Sequence, residues 1–513
     1  MSDPGGELTP PGDSPIGYSI RSGVIKGVFW TVGARWALRG LGLISTIVLA
    51  RLLMPRDFGL IAMATVVIGF LDVLFSQGVD TALIQNASAV RAHWDTAWTI
   101  RVVQGGAMAA LLVILAPLAS RYYGEPRMTT IMPILALGTV ATSVENIGTV
   151  AFRKDLQFHR DFQFMVAKKL FQFAIVLGLA LIWRDYRALM VGTVFGAAAS
   201  TCLSYAVHPF RPKWSLEKAA EIWGFSFRLA AISFATYVNT EGEKLVIGAV
   251  AGAEQTGIYY VGDEIGQTPA SELTMPISRV SVPGFAKIKH DPDRLKSAFL
   301  KVLGFVILVS VGAAAGLFAV ADNLVMVVLG PRWLYAAAVI QFSAISGALR
   351  AIYSPCGNFL MVVGRLNTIM AINFLHALLF VSLLPLTVER YGILGAAGLK
   401  SAIAIVSFVL YGRAVNKAAE ISISETLAVL WRPLVSAMLM GYACILVAGL
   451  FASPAAALAC QIAVGAVSYG ATTYALWVAS GGPDGAERDL LEMASDRIRS
   501  LWADIGIRLK YYD

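Results

Sequence analysis

The chain has 513 residues, of which 57% are hydrophobic and only 14% charged, with a net charge of +8 and a mean hydropathy of +0.67. A soluble chain of this length carries roughly 25% charged residues and splits into several domains; this composition excludes that, because so little charge cannot solvate so large a surface. The basic excess sits in short segments between apolar runs, which is the pattern of membrane-protein loops and not of a nucleic-acid interface.

Taken in order, residues 1–20 hold Pro4, Pro10, Pro11 and Pro15 among Gly, Ser and Asp and read as a disordered cytoplasmic tail. The stretch lacks the basic start and small-residue cleavage site of a signal peptide. Apolar runs then recur at about 27–50, 58–82, 96–119, 128–150, 162–183 and 187–207. A polar break from His208 to Glu221 separates them from runs at about 224–250, 256–283, 298–320, 333–361, 367–388, 392–415, 431–451 and 456–479. Each is long enough to cross a hydrocarbon layer of ~30 Å at ~1.5 Å per residue. The expectation is an all-α integral membrane protein of about 14 transmembrane helices, with two six-helix lobes around a central cavity and two extra C-terminal helices. The boundaries predicted are 21–213 for the first lobe, 214–418 for the second, 419–480 for the extra pair and 481–513 for a cytoplasmic tail. In that tail Leu490, Ala494, Ile498, Leu501, Ile505 and Leu509 recur at helical spacing, an amphipathic helix suited either to the inner leaflet or to packing on the protein itself.

Lys and Arg in the loops set the orientation. With the N-terminus inside, about 23 fall on the cytoplasmic side and about 8 outside, the latter being Arg51, Arg56, Arg121, Arg127, Arg184, Arg187, Arg332 and Arg390. Both termini are therefore expected in the cytoplasm.

A weak internal repeat supports the two lobes. LARLLMPRDFGLIAMA (Leu49 to Ala64) returns about 198 residues later as IGAVAGAEQTGIYYVG (Ile247 to Gly262), aligning Gly59 with Gly257. An even six-span offset gives the two repeats the same orientation, as in lobes that face each other across a cavity.

Charge at membrane depth costs roughly 2.5–3.5 kcal/mol per group on insertion scales, so polar stripes inside the runs carry information. Arg35, Arg39, Gly42 and Thr46 share one helical face, and the next span repeats this with Gly69, Asp72, Ser76 and Asp80. The matching helices of the second half carry Thr236, Asn239, Thr240 and Glu243, then Glu264, Thr268, Glu272 and Arg279. Such stripes imply a hydrated cavity. The fixed donor fork of an arginine suits phosphate oxygens, while the plain alternative pairs Arg35 and Arg39 with Asp72 or Asp80 as structural contacts. Glu243, Glu264 and Glu272 could instead carry a coupling proton or sodium ion. Lys168 and Lys169 read as snorkelling anchors; Glu145 with Asn146, Arg350 and Lys400 read as either helix contacts or cavity residues.

Signals for other chemistry are weak. Cys202, Cys356, Cys444 and Cys460 lie far apart without a CxxC pair and read as small buried hydrophobes. Asp291-Pro-Asp293 sits in a short basic loop without a nucleotide fold around it. No P-loop, HExxH or GxSxG occurs, so ATP hydrolysis by P-loop machinery is excluded and no cofactor or metal is expected.

ARLLMPRDFGLIAMATVVIGFLDVLFSQGVDTALIQ (Ala50 to Gln85) resembles the opening helices of the Wzx-type polysaccharide transporter branch of bacterial flippases. AFRKDLQFHRDF (Ala151 to Phe162) and TGIYYVGDEIGQTPASELTMPISRVSVPGFAKI (Thr256 to Ile288) look like two further blocks of that family. The resemblance implies the two-lobed fold of the multidrug/oligosaccharidyl-lipid/polysaccharide exporter superfamily. It also implies transport, not enzymatic turnover, of undecaprenyl-diphosphate-linked repeat units across the bacterial cytoplasmic membrane. Polymerase and chain-length proteins of the same pathway would be partners, along with membrane lipid. In the related lipid II flippases basic residues of the first span line the cavity, a place comparable to that of Arg35 and Arg39. The competing readings are a gradient-driven multidrug exporter, whose cavity should lead with carboxylates and aromatics, and a glycan-polymerising membrane enzyme, which should carry a large outside loop.

Overall fold

The computed structural model describes residues 15–75, 78–86, 88–490 and 492. Its helices in chain order are α1 (Pro15–Leu52), α2 (Pro55–Phe75), α3 (Val79–Gln85), α4 (Arg91–Tyr123), α5 (Met128–Ser143), the short α6 (Ala151–Lys154), α7 (Phe158–Trp183) and α8 (Tyr186–Val207). They continue with α9 (Ala219–Ile288), α10 (Pro292–Leu324), α11 (Ala336–Val362), α12 (Leu366–Ala419), α13 (Ile423–Ala448) and α14 (Pro454–Ala479). Among the described residues there is no strand. Among the described residues nine spans are long and apolar enough to cross a membrane, α2 with α3 counting as one, or ten if α5 and the sharply bent piece after it form another. The expected total of about 14 is consistent with this, because α1 and α9 are not among those ten and α9 and α12 are each two helices run together. The breaks fall at Gly252 (φ 78°) and Gly392 (φ 61°), left-handed backbone that glycine adopts without a Cβ clash.

Large apolar side chains stand exposed on these helices, among them Ile182, Phe374, Ile445 and Val467. In water this would be a liability; around a bilayer-spanning bundle it is the lipid-facing surface. Cys356 and Cys444 are buried as expected, whereas Cys202 is exposed. Asp291 is a helix cap: its carboxylate accepts from the Arg294 backbone N–H at 3.0 Å, with Pro292 in the first turn of α10.

The described residues fall into two compact units, one within Met1–Leu53 and Ala64–Glu241, the other within Met54–Met63 and Gly242–Asp513. In the first unit α4 packs on α5, α5 on α8, and α7 on both α8 and α1. Gly192 and Gly196, four residues apart on α8, set that helix directly against Val176 and Gln172 of α7. The segment after α8 is latched down by hydrogen bonds. Asn146 Nδ2 donates to the His208 and Phe210 carbonyls at 3.0 and 2.8 Å, and Asp95 and Thr99 accept from the backbone N–H groups of Lys213 and Ser215. Asn146, read as a candidate cavity residue, thus holds a loop. Burial, with the Arg211 guanidinium nearby, keeps the His208 imidazole below its ordinary pKa.

In the second unit α11 packs on α10 and α12, and the α13–α14 pair packs on α10. Phe285, Phe299 and Phe359 form an aromatic core with ring centroids 5.0–6.3 Å apart. Past α14 the chain folds back onto the protein: Trp477 Nε1 donates to the Pro483 carbonyl at 3.0 Å, and Glu487 pairs with Arg432 of α13 at 3.0 Å, both side chains buried. The rest of the expected amphipathic tail (Ala494 to Leu509) and residues 1–14 lie outside the described residues.

The opening turns of α2 belong to this second unit, and there the repeat becomes physical. A Cβ on Gly59 would collide with the carbonyl of Ala253, and one on Gly257 with the carbonyl of Pro55. Each glycine rests on the residue four positions before the other, and the 198-residue offset that aligns the glycines also aligns Pro55 with Ala253. The two repeat copies cross backbone to backbone at equivalent places, which only residues without side chains permit.

Overpacking a closed contact costs about 1–3 kcal/mol or more. Gly59→Val and Gly257→Val should each lower the melting temperature of the detergent-solubilised protein clearly. Gly106→Ala, where a new Cβ meets nothing within 4 Å, should leave it unchanged or raise it; equal behaviour of all three would refute the tight crossing.

Candidate functional site

Two charged clusters are buried among the helices, one in each unit. In the first, Glu145 follows the end of α5, where α5 breaks at the Val144–Asn146 turn, and the residue is only 5% exposed. Both its oxygens accept from Lys168 Nζ of α7, at 2.7 and 2.8 Å, and Arg101 of α4 stands 3.8 Å away. Lys168 is therefore not the snorkelling anchor its place near a helix end suggests. A carboxylate removed from water demands a cation, and the lysine turns inward to supply it.

Beside this pair lies a cavity of about 300 Å³ bounded by α2, α3, α4 and α5, with Asp72, Asp80, Arg101, Gln104, Thr139 and Thr142 on its walls. Asp80, at the start of α3, is also held by Arg153 at 2.9 Å, and Arg153 approaches Asp161 at 4.0 Å. Gly105 lets α4 close on α5, because a Cβ there would strike Ser143.

In the second unit Lys400 of α12 sits between two buried carboxylates, 2.6 Å from Glu243 and 2.9 Å from Asp263. Glu243 and Asp263 are 3% and 6% exposed. Asp263 is richly donated to: Gln267 Nε2 lies 2.7 Å from both oxygens and Ser343 Oγ of α11 donates at 2.8 Å. The ammonium of Lys400 also lies 5.9 Å from the centre of the buried Tyr259 ring, and that of Lys244 5.0 Å from Tyr260. Two carboxylates and the ammonium between them, removed from water together, make the cluster electrostatically demanding at low dielectric.

Set against the residues singled out from the sequence, Asp72 and Asp80 share the cavity of the first unit, and Glu243 lies in the cluster of the second. Arg35 and Arg39 lie one turn apart on α1, half-buried and each engaged with other groups. Asp80 takes Arg153 as its ion-pair partner. Glu264 is half-buried and Glu272 buried on α9, both in contact with other groups. The side chains of Asn239, Arg279 and Ser76 lie outside the described residues. Sequence reasoning passed over Arg101, Gln104 and Asp263. Gly262 and Gly266 flank Asp263 and rest on Val339 and Ser343 of α11; that small-residue pair was the available sign that the Asp263 face, not the Glu264 face about 100° away, turns toward α11. Among the described residues no group of three or more His, Cys, Asp or Glu is arranged to hold a metal ion.

The long apolar helices define a multi-pass membrane protein, and the arrangement matches that of known transporters. It superposes on the solved structure titled "Lipid II flippase MurJ, inward closed conformation" with a TM-score of 0.71 at 11% identity, covering 90% of this chain and 100% of that one. An inward-facing MATE-family multidrug transporter of the MOP superfamily gives 0.54 at 12% identity, covering 74% and 95%. Residues 48–338 match the family described as "Polysaccharide biosynthesis protein", more than half of the chain. The chain belongs to that family. Among its relatives are the lipopolysaccharide biosynthesis protein WzxC of Escherichia coli (strain K12), 27% identical over 74% of this chain and 77% of that protein, and the succinoglycan biosynthesis transport protein ExoT of Rhizobium meliloti (strain 1021), 26% identical over 66% and 68%.

Removing the cation from a buried pair leaves uncompensated charge, typically about 3–5 kcal/mol destabilising. Lys400→Met should therefore lower the thermal stability of the purified protein strongly, and adding Glu243→Gln with Asp263→Asn should restore much of it. A double-mutant cycle on melting curves that shows no coupling would refute the ion-pair assignment.

Proposed function

We propose that this protein is a flippase that carries undecaprenyl-diphosphate-linked oligosaccharide repeat units across the bacterial cytoplasmic membrane, for exopolysaccharide, capsule or O-antigen assembly. The observation that carries the reading is the conjunction of family membership with polar groups built into otherwise apolar membrane helices. The named relatives are transport and biosynthesis proteins of surface polysaccharides, and the fold is shared with a lipid II flippase.

The physics of the task fits such a chain. A prenyl tail stays in lipid throughout, whereas the diphosphate and the sugars need a polar route. On this reading Arg35 and Arg39 meet the diphosphate, because guanidinium forks replace lost phosphate hydration with paired, charge-assisted hydrogen bonds. The protein opens alternately to the two faces of the membrane, with both termini in the cytoplasm. Coupling to a proton or sodium gradient would run through buried carboxylates such as Glu243, Glu264 and Glu272. A multidrug transporter of the same fold is the less favoured reading, since the chain belongs to a polysaccharide biosynthesis family and its named relatives serve surface polysaccharides.

Loss of hydrogen bonds to a charged group costs about 1.5–3 kcal/mol. Arg35→Ala or Arg39→Ala should cut export of surface polysaccharide at least about tenfold while the protein remains in the membrane at normal level, and lysine at either position should restore it in part. Full export by the double alanine variant would overturn the diphosphate role.

A further inference from the structure

We propose that the cavity bounded by α2, α3, α4 and α5 is a subsite for an uncharged sugar ring of the transported glycan, and not for its diphosphate. The ligand's place in transport rests on the flippase reading; the chemistry of the site is argued from its walls.

Size comes first. At about 300 Å³ the cavity is at the small end of the ~300–1,000 Å³ typical of ligand sites. With a water taking ~30 Å³, it holds a monosaccharide with a few waters and is too small for a repeat unit.

Polarity comes second. Thr142 Oγ1 donates to the Thr139 carbonyl at 2.9 Å, and Ser143 Oγ to the Val140 carbonyl at 2.8 Å. These bonds tie the hydroxyl protons to the helix's own backbone, so what each oxygen offers the cavity is a lone pair. With the carboxylates of Asp72 and Asp80, the walls are rich in acceptors. Arg101 and Gln104 add donors. A ligand that matches must bring many O–H donors and a few acceptors, which describes a pyranose. Val79 and Met108, also on the wall, give its C–H edges an apolar surface.

The same walls disfavour the diphosphate. A phosphate brings only acceptor oxygens to a wall that already carries the carboxylates of Asp72 and Asp80 and the lone pairs of Thr142 and Ser143. Arg153 and Lys168 are already committed to Asp80 and Glu145. A doubly charged phosphate entering here would face lone pairs it has no proton to donate to, with Arg101 and Gln104 as the donors on the wall. A neutral, hydroxyl-rich ring meets no such penalty.

The test uses the full chain in lipid nanodiscs and saturation-transfer NMR with the methyl glycosides of glucose, galactose, mannose and N-acetylglucosamine as probes. At least one should bind. Thr142→Val, which keeps shape but removes the acceptor, and Gln104→Leu should each weaken it by about five- to tenfold, while Thr142→Ser should bind like wild type. Inorganic diphosphate and ethidium should not displace the glycoside. The proposal is overturned if no glycoside binds, if diphosphate or ethidium displaces it, or if Thr142→Val and Gln104→Leu both bind like wild type. Flipping of a fluorescent undecaprenyl-diphosphate-linked sugar by the wild-type protein in proteoliposomes is measured in parallel. Glycoside binding without flipping would defeat the flippase reading and leave the sugar site standing; flipping without glycoside binding would defeat the sugar site alone.

Discussion

An ionised side chain inside a bilayer-spanning bundle must find an opposite charge or water, because the hydrocarbon supplies neither. Much of the internal organisation of this protein follows from that constraint. Lys168 leaves the interface to satisfy Glu145, Lys400 bridges Glu243 and Asp263, and Arg432 reaches Glu487 past the last helix. Lys400 thereby ties α12 to places on α9 that lie 157 and 137 residues earlier in the chain. Replacing such pairs by apolar residues would often be neutral for stability. Their presence in a protein this apolar is more readily understood as serving a polar task.

The two units meet the constraint differently. In the second, Lys400 sits between two carboxylates, one of them also held by the Ser343 hydroxyl, and beside an aromatic ring, a compact arrangement suited to holding α9, α11 and α12 in register. In the first, the Glu145–Lys168 pair stands beside an open volume, and the charges and hydroxyls of α2 to α5 line it. The same physics thus produces a closed knot in one place and a polar chamber in the other. The small residues that make both possible are specific: Gly105 at the chamber, Gly262 and Gly266 at the knot.

The class of protein was legible in composition, and its repeat in a weak match whose aligned glycines turn out to rest on each other's helix. What could not be read was the partner of each charge. Hydropathy marks Lys168 as a residue near a span end, and nothing local says that Glu145, across a helix break, needs it. One residue of helical phase separated Glu264, which the polar stripe selected, from Asp263, which Lys400 and Ser343 engage. Arg101 and Gln104 sit in an otherwise apolar run, and their significance depends on α3 and α5 bringing Asp80 and Thr142 opposite them. Spacing along one helix reports its own faces; pairing between helices is a tertiary fact.

On the flippase reading, a polar route through an apolar chain serves the passage of a glycan headgroup from one leaflet to the other. The most direct measurement is the leaflet in which the lipid-linked repeat unit resides when the protein is depleted from cells whose surface polysaccharide depends on it, read by a membrane-impermeant lectin on intact and permeabilised spheroplasts. The account predicts that the glycolipid accumulates where only permeabilisation reveals it and returns to the outer face on re-expression. An unchanged distribution between the two faces would contradict it.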